Sequence, residues 1–201
     1  MLAGCMAMGA VKVIDVAPAA ANAAPSVVST ILDPAGDAIA KAPAFQDIVS
    51  GQMTRAANGD FELLMEMAGP VPVAPLLPPP GVREIWWVWP FDLDPKTAPT
   101  GYPVAFTGSA PEFIVYVSWN GAEFAGTAID RRPLLAGGEA IITSVEFSIS
   151  GSMIDAVLPY TLIGDVPQSF PWAQSTLNWA GPVGSAGYQI VDGTSSSISN
   201  P

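Results

Sequence analysis

Phe113-Ile114-Val115-Tyr116-Val117-Ser118-Trp119-Asn120-Gly121-Ala122-Glu123-Phe124-Ala125-Gly126-Thr127-Ala128-Ile129 is the stretch from which the fold of this chain is read. Phe113, Val115, Val117 and Trp119 fall on every second position, and a second strand, Glu123 to Ile129, follows Asn120-Gly121 directly. Successive side chains of a strand point to opposite faces, and Asn-Gly accepts the positive φ angles of a tight hairpin turn. The segment is expected to be an antiparallel hairpin with one apolar face.

The same period continues on both sides. Ile141, Thr143, Val145, Phe147 and Ile149 alternate, Ser150-Gly151 turns, and Met153 to Leu158 returns as a second hairpin. Two hairpins in series predict a meander, with Gly137-Gly138 as the break between them. Pro159 to Gly164 has the length of one helical turn or a corner, Phe170 to Trp179 reads as another strand, and Tyr188 to Val191 as an edge strand. Upstream, Phe61, Leu63, Met65 and Met67 alternate on a half-buried strand. The proline-rich stretch from Val71 to Val82 has too few N–H donors for a central ladder, so a surface excursion is expected there. Ile85-Trp86-Trp87-Val88-Trp89 is apolar at both parities, which predicts a central strand covered on both faces.

Composition agrees with many short strands. Half of the 201 residues are apolar and only 12% are charged, while 19 glycines and 21 prolines break the apolar runs. The length suits one well-buried core. The expected organisation is residues 1–29 as export leader or lipoprotein tether, 30–192 as the sandwich domain, and 193–201 as a flexible tail. The fold class is all-β: an antiparallel, jelly-roll-like sandwich with a disordered N-terminal leader and C-terminal tail.

Seven basic against 18 acidic residues, for a net charge of −11, argue against nucleic acid as a partner, because phosphate binding needs clustered Lys and Arg. The chain has no run of roughly 18 uninterrupted apolar residues, the length that spans a bilayer as a helix. There is no histidine, which removes the commonest general base and zinc ligand. The single cysteine, Cys5, leaves no internal disulfide.

Leu2-Ala3-Gly4-Cys5 resembles the lipobox of bacterial lipoproteins, in which the cysteine is lipidated after cleavage; here only Met1 precedes it. A second reading takes Met1 to about Ala24 as a signal peptide ending at Ala21-Asn22-Ala23, its apolar core interrupted by Lys12 and Asp15. A third takes the segment as a plain Ala/Pro leader. Two of the three place the protein outside the cytoplasm, secreted, periplasmic or held peripherally at a membrane through a lipid on Cys5.

Asp33-Pro34-Ala35-Gly36-Asp37 followed by Phe45-Gln46-Asp47-Ile48, then Phe91-Asp92-Leu93-Asp94 with Thr100-Gly101-Tyr102-Pro103, then Val145 to Ile149, Ala156 to Gly164 and Phe170 to Thr176, come in a distinctive order. Together they resemble the DOMON-like superfamily of β-sandwiches, which includes family 9 carbohydrate-binding modules and the C-terminal domain of glucodextranase. The resemblance spans about Ile31 to Trp179. It implies an exported sandwich that binds sugars or other small ligands, often with structural calcium. Two departures stand out: the spacing from Asp94 to Gly101 is long, and Lys96 puts a cation beside a would-be calcium loop.

Three constellations could carry chemistry. Calcium takes about six to eight hard oxygens on a loop that bends around the ion, and Asp33, Asp37 and Asp47 offer carboxylates beside a Pro/Gly turn. The alternative for these residues is ordinary turn capping. Asp92 and Asp94, two apart, would share a face of an extended strand and form a second calcium candidate, against which capping is favoured because of Lys96. Trp119 and Trp179 lie near loop ends and are the candidate sugar platforms, while Trp86, Trp87 and Trp89 are expected largely in the core. Asp130-Arg131-Arg132 reads as a strand-end turn in which an arginine pairs with Asp130 or a neighbouring acid, with a partner-binding role as the less favoured alternative.

No nucleophile elbow, phosphate loop or zinc signature is present. A carboxylate-based glycoside hydrolase is the disfavoured third reading, since any 18 acidic residues would supply a chance pair. The expected function is non-catalytic: a module binding carbohydrate or another small surface ligand, with calcium as stabilising ion. A structural subunit of a surface layer or filament, built by self-assembly, is the alternative.

Overall fold

The expected hairpin forms, with a longer connection than two residues. In a computed structural model that describes residues 26–78, 81–94, 96, 111–167, 170–181 and 187–197, strands β5 (Phe113–Trp119) and β6 (Phe124–Asp130) pair antiparallel with Trp119 opposite Phe124. Asn120 caps the loop: its side-chain oxygen accepts the N–H groups of Ala122 and Glu123 at 2.9 and 3.0 Å, and Gly121 takes φ +91°. The preceding strands are β1 (Ser26–Leu32), β2 (Ile48–Arg55), β3 (Phe61–Met67) and β4 (Glu84–Phe91). The following ones are β7 (Ile141–Ser144), β8 (Phe147–Ser150), β9 (Met153–Leu158), β10 (Pro171–Trp179) and β11 (Tyr188–Ser197). Two single helical turns, α1 (Arg132–Leu135) and α2 (Tyr160–Ile163), connect them.

The strands form an all-antiparallel sandwich. One sheet runs β1-β2-β3-β9-β8 and the other β11-β10-β4-β5-β6-β7. This order corrects the expected meander. Ile141 to Ile149 is not one strand: β7 pairs with β6 in the six-stranded sheet, and β8 pairs with β9 in the other. The chain changes sheets at Val145-Glu146, passing so close to Gly126 that a Cβ there would lie 2.5 Å from the Val145 carbonyl oxygen. Alternation survives such a corner, because the inward parity stays inward while the hydrogen-bonding partner changes. β9 then pairs with β3, far away in sequence.

Between the sheets lies a core to which β3 contributes Phe61, Leu63, Met65 and Met67, β4 contributes Ile85, Trp87, Trp89 and Phe91, and β5 contributes Phe113, Val115, Val117 and Trp119. β4 is buried at both parities, as expected, because Trp86 and Val88 join a second apolar cluster on the outer face with Ile114, Ile129, Leu177 and Trp179. β10 presents polar residues inward. Gln174 Nε2 donates to the Leu64 carbonyl at 2.7 Å, Thr176 Oγ1 to the Gln46 carbonyl at 2.6 Å, and Gln46 Nε2 to Asn178 Oδ1 at 3.0 Å. These buried bonds lock the sheets in register near the β1 edge, as buried polar groups require partners.

The strands reach past the expected 30–192 boundaries. β1 begins at Ser26 and pairs with β2, and the edge strand expected over Tyr188–Val191 continues along β10 until Ser197 faces Pro171. Edge ladders need only backbone groups, so Ser/Thr-rich sequence joins them without an apolar pattern. Residues 1–25, with Cys5 and the export leader, residues 198–201, and the turn Thr100 to Pro103 lie outside the described residues.

Candidate functional site

Beyond Leu32, β1 gives way to the turn Asp33-Pro34-Ala35-Gly36-Asp37. Gly36 holds φ +90°, which costs a residue without a Cβ nothing, and its N–H donates to Asp47 Oδ2 at 2.8 Å. The Asp33 N–H donates to the Val49 carbonyl at 3.1 Å, and the Ile39 N–H to the Val191 carbonyl at 2.9 Å. The turn is thus pinned to β2 on one side and to β11 on the other, where the edge strands of the two sheets meet.

β11 supplies a residue that sequence reasoning missed. Its register against β10 slips between Thr176 and Leu177, which face Asp192 and Ile190, so Val191 is the extra residue of a β-bulge. Bulges re-aim side chains, and here both Val191 and Asp192 are buried. Asp192 Oδ2 accepts the Ile48 N–H at 2.6 Å and Oδ1 accepts the Gly193 N–H at 2.8 Å. Asp33, Asp37 and Asp192 then converge, with one carboxylate oxygen from each lying within 4.8 Å of the others.

Burial, together with like charges at this range, disfavours ionisation of Asp33 and Asp192. Burial, then Asp192 and Asp37, raise the Asp33 carboxyl to about 6. Asp192 is also raised, chiefly by burial, with the Ile48 and Gly193 N–H groups working in the opposite direction. Asp47, 7% exposed, has one oxygen on the Gly36 N–H, while its Oδ1 has no hydrogen-bond partner among the described residues, nor does the buried Asp33 Oδ2. Orphaned buried carboxylate oxygens beside mutually repelling acids are what a hard divalent cation relieves. The donor set is all carboxylate oxygen, the chemistry of calcium rather than of softer metals. The residues therefore fit such an ion.

The two halves of the expected metal set are placed differently. Asp33 and Asp37 come together with Asp192, and Asp47 buttresses the turn. Asp92 and Asp94 do not join a carboxylate cluster among the described residues. β4 ends at Phe91, so the same-face rule for positions two apart does not extend to them. Asp92 is buried with its N–H on the Pro171 carbonyl, whereas exposed Asp94 caps the Lys96 N–H through Oδ1 at 3.1 Å.

Neither candidate platform tryptophan presents a free face. Trp119 is 5% exposed, packs against Phe124, and donates its Nε1 to the Pro75 carbonyl at 2.9 Å, so the proline-rich excursion closes over it. Trp179, equally buried, stacks on Trp86. Nearness to a loop end indicated exposure for both, but the neighbouring loop and strands fold back over the rings.

Asp130-Arg131-Arg132 does hold the expected ion pair. Arg132 binds Asp130 through Nε and Nη2 at 3.0 and 2.9 Å, while Arg131 is buried with Nη1 on the Pro111 carbonyl. The chain matches no protein-family profile, no curated protein and no solved structure.

Proposed function

We propose that this chain is an exported, non-catalytic, DOMON-like β-sandwich module that binds carbohydrate or another small surface ligand and is stabilised by calcium at Asp33, Asp37 and Asp192. The observation that carries the proposal is the convergence of those three carboxylates beside the orphaned oxygen of Asp47. An ion there ties β1 to β11, and with them the two sheets, at the edge where the polar row of β10 replaces apolar packing. The order of the sequence motifs supports the family assignment, and the leader readings support export.

A melting curve with calcium and then with chelator tests this. Calcium at a hundredfold excess over Kd would contribute about 2.7 kcal/mol, a rise in midpoint of about 5–10 °C for a chain of this size. A midpoint unmoved by either addition overturns the ion and the calcium-stabilised module with it.

The assembly reading draws on a different observation. Edge strand β7 exposes Ile141 and Ile142, and the proline-rich excursion exposes Val73 and Leu76. Sedimentation that shows concentration-dependent polymers, abolished by Ile142→Lys, would favour that role over ligand binding.

A further inference from the structure

We infer that Asn120-Gly121 is a self-modification site, where the fold assists loss of the Asn120 side-chain amide through a succinimide, while the like pair Asn58-Gly59 is held unreactive. The sequence contains these two Asn-Gly pairs and no other. Each sits in a hairpin connection, the first between β2 and β3, the second between β5 and β6. Glycine has no Cβ to shield its nitrogen, so the dipeptide alone gives both sites the same reactivity. The hydrogen bonds around them separate the two. Neither pair shares a residue with the Asp33 cluster, so the inference stands apart from the calcium reading.

In the reaction the Gly121 backbone nitrogen gives its proton to water or hydroxide and attacks Asn120 Cγ. The N–Cγ bond forms and negative charge collects on Oδ1. The Cγ–Nδ2 bond then breaks, and Nδ2 takes a proton from water and leaves as ammonia. A second water opens the imide, at the Cγ carbonyl to give aspartate or at the main-chain carbonyl to give isoaspartate. Water is the only co-reactant, and nothing is oxidised or reduced.

Oδ1, the atom on which the charge develops, already accepts the Ala122 and Glu123 N–H groups at 2.9 and 3.0 Å. Two backbone donors within roughly 2.7–3.1 Å have the geometry of an oxyanion hole. A hydrogen bond to a charged acceptor is roughly twice as strong as one to a neutral acceptor, so these donors favour the intermediate over the resting amide. The attacking and leaving nitrogens are both free: among the described residues neither the Gly121 N–H nor Asn120 Nδ2 makes a hydrogen bond. Asn120 to Glu123 are all exposed, so water reaches the site.

Asn58 is restrained at each of the same atoms. The Gly59 N–H donates to the Ala56 carbonyl at 2.9 Å, so the nucleophile must first give up a bond. Asn58 Nδ2 donates to Asp60 Oδ2 at 2.7 Å, which holds the leaving group in place. Its Oδ1 receives one donor, the Asp60 N–H at 3.1 Å, in place of two. Asp60 is itself fixed, because its Oδ1 accepts the Tyr160 N–H at 2.8 Å. The Asp60 carboxylate also disfavours a second negative charge growing beside it.

Either product at Asn120 adds one negative charge. Aspartate keeps an acceptor for the Ala122 and Glu123 N–H groups. Isoaspartate instead lengthens the main chain by a methylene directly after Trp119, whose ring packs on Phe124 and whose Nε1 donates to the Pro75 carbonyl. The change thus falls where the β5–β6 hairpin closes and the proline-rich excursion is tied down.

The full chain is incubated in mildly alkaline buffer, folded and in urea, and peptide mass spectrometry follows the exchange of amide for acid at each asparagine. In urea Asn58 and Asn120 should convert at similar rates, because the hydrogen bonds that distinguish them are gone. In the folded chain Asn120 should convert about tenfold or more faster than Asn58, with isoaspartate among its products. Ala122→Pro removes one donor to Oδ1 at an exposed position and should slow conversion of Asn120 in the folded chain while leaving its rate in urea unchanged. Asn120 converting no faster than Asn58 in the folded chain, the same preference persisting in urea, or a folded-state rate unaltered by Ala122→Pro overturns the inference.

Discussion

Trp86 on β4 and Trp179 on β10 lie face to face on the outer side of the six-stranded sheet, ring centroids 4.7 Å apart and planes within 5° of parallel. Tyr116 extends the stack on the other face of Trp86 at 4.3 Å, and Tyr188 extends it beyond Trp179 at 6.4 Å. Four strands, β11, β10, β4 and β5, are thereby tied across their outer face by rings rather than by a covering sheet. Truncating either tryptophan to alanine should cost about 3–5 kcal/mol. A double-mutant cycle followed by urea unfolding should return about 0.5–1.5 kcal/mol of coupling between them. Strict additivity would show that the stack contributes only burial.

Gly51 on β2 faces Gln174 across the sandwich, and a Cβ at Gly51 would lie 2.0 Å from Gln174 Oε1. Gln174 is wholly buried and held by the Leu64 carbonyl, so its amide has nowhere to retreat without losing that bond. Gly51→Ala should destabilise by about 1–3 kcal/mol, measured by denaturant melts. Gln174→Ala in the same background should recover part of the loss, because it removes the obstacle.

Gly126→Ala should be harder to accommodate, since the obstructing atom is the backbone oxygen of Val145 and not a side-chain tip. The expected result is a lower midpoint together with weakened protection of the Val145 amide, which donates to the Gly126 carbonyl at 3.1 Å. Hydrogen exchange at Val145 reads this directly.

Without a divalent cation, the Asp33 carboxyl titrates near 6 in the folded chain against 3.8 for an unperturbed aspartate. The folded state therefore binds more protons than the unfolded one between these values, and its stability falls as pH rises through that window. Asp192 adds in the same direction. Asp33→Asn should flatten the slope in chelated protein. Calcium affinity should move the opposite way, weakening below about pH 6 as protons compete for the same oxygens. Melting midpoints across pH 4 to 7, with chelator and with calcium, check both signs.

Asp192→Asn keeps an oxygen to accept the Ile48 N–H, gives up the bond from the Gly193 N–H, and removes one charge from the cluster. In chelator, the variant should melt close to the parent, because the relief of repulsion offsets the lost Gly193 bond. In calcium, it should lose most of the midpoint rise. A variant that melts lower in chelator yet keeps the full calcium response would mean that Asp192 acts through the Ile48 hydrogen bond alone.

The sequence on its own determined the class of fold and the identity of most strands, because period-two alternation at Phe61–Met67, Phe113–Trp119 and Met153–Leu158 reports which side of each strand leaves water. It also put Asp33 and Asp37 on one turn, since a turn with Pro34 and Gly36 is a local property. Only the tertiary structure decided which strands became neighbours: β7 and β8 read as one continuous pattern until the passage over Gly126 split them between sheets. Only the tertiary structure brought Asp192 to Asp33, through a bulge at Val191 and about 160 residues of intervening chain. The same limit governed the tryptophans, because a ring's exposure depends on what folds over it, and for Trp119 that was the Pro75 carbonyl. Local patterns record the preferences of neighbours in sequence; sheet order, bulge placement and covering loops arise from packing between distant segments, on which those patterns are silent.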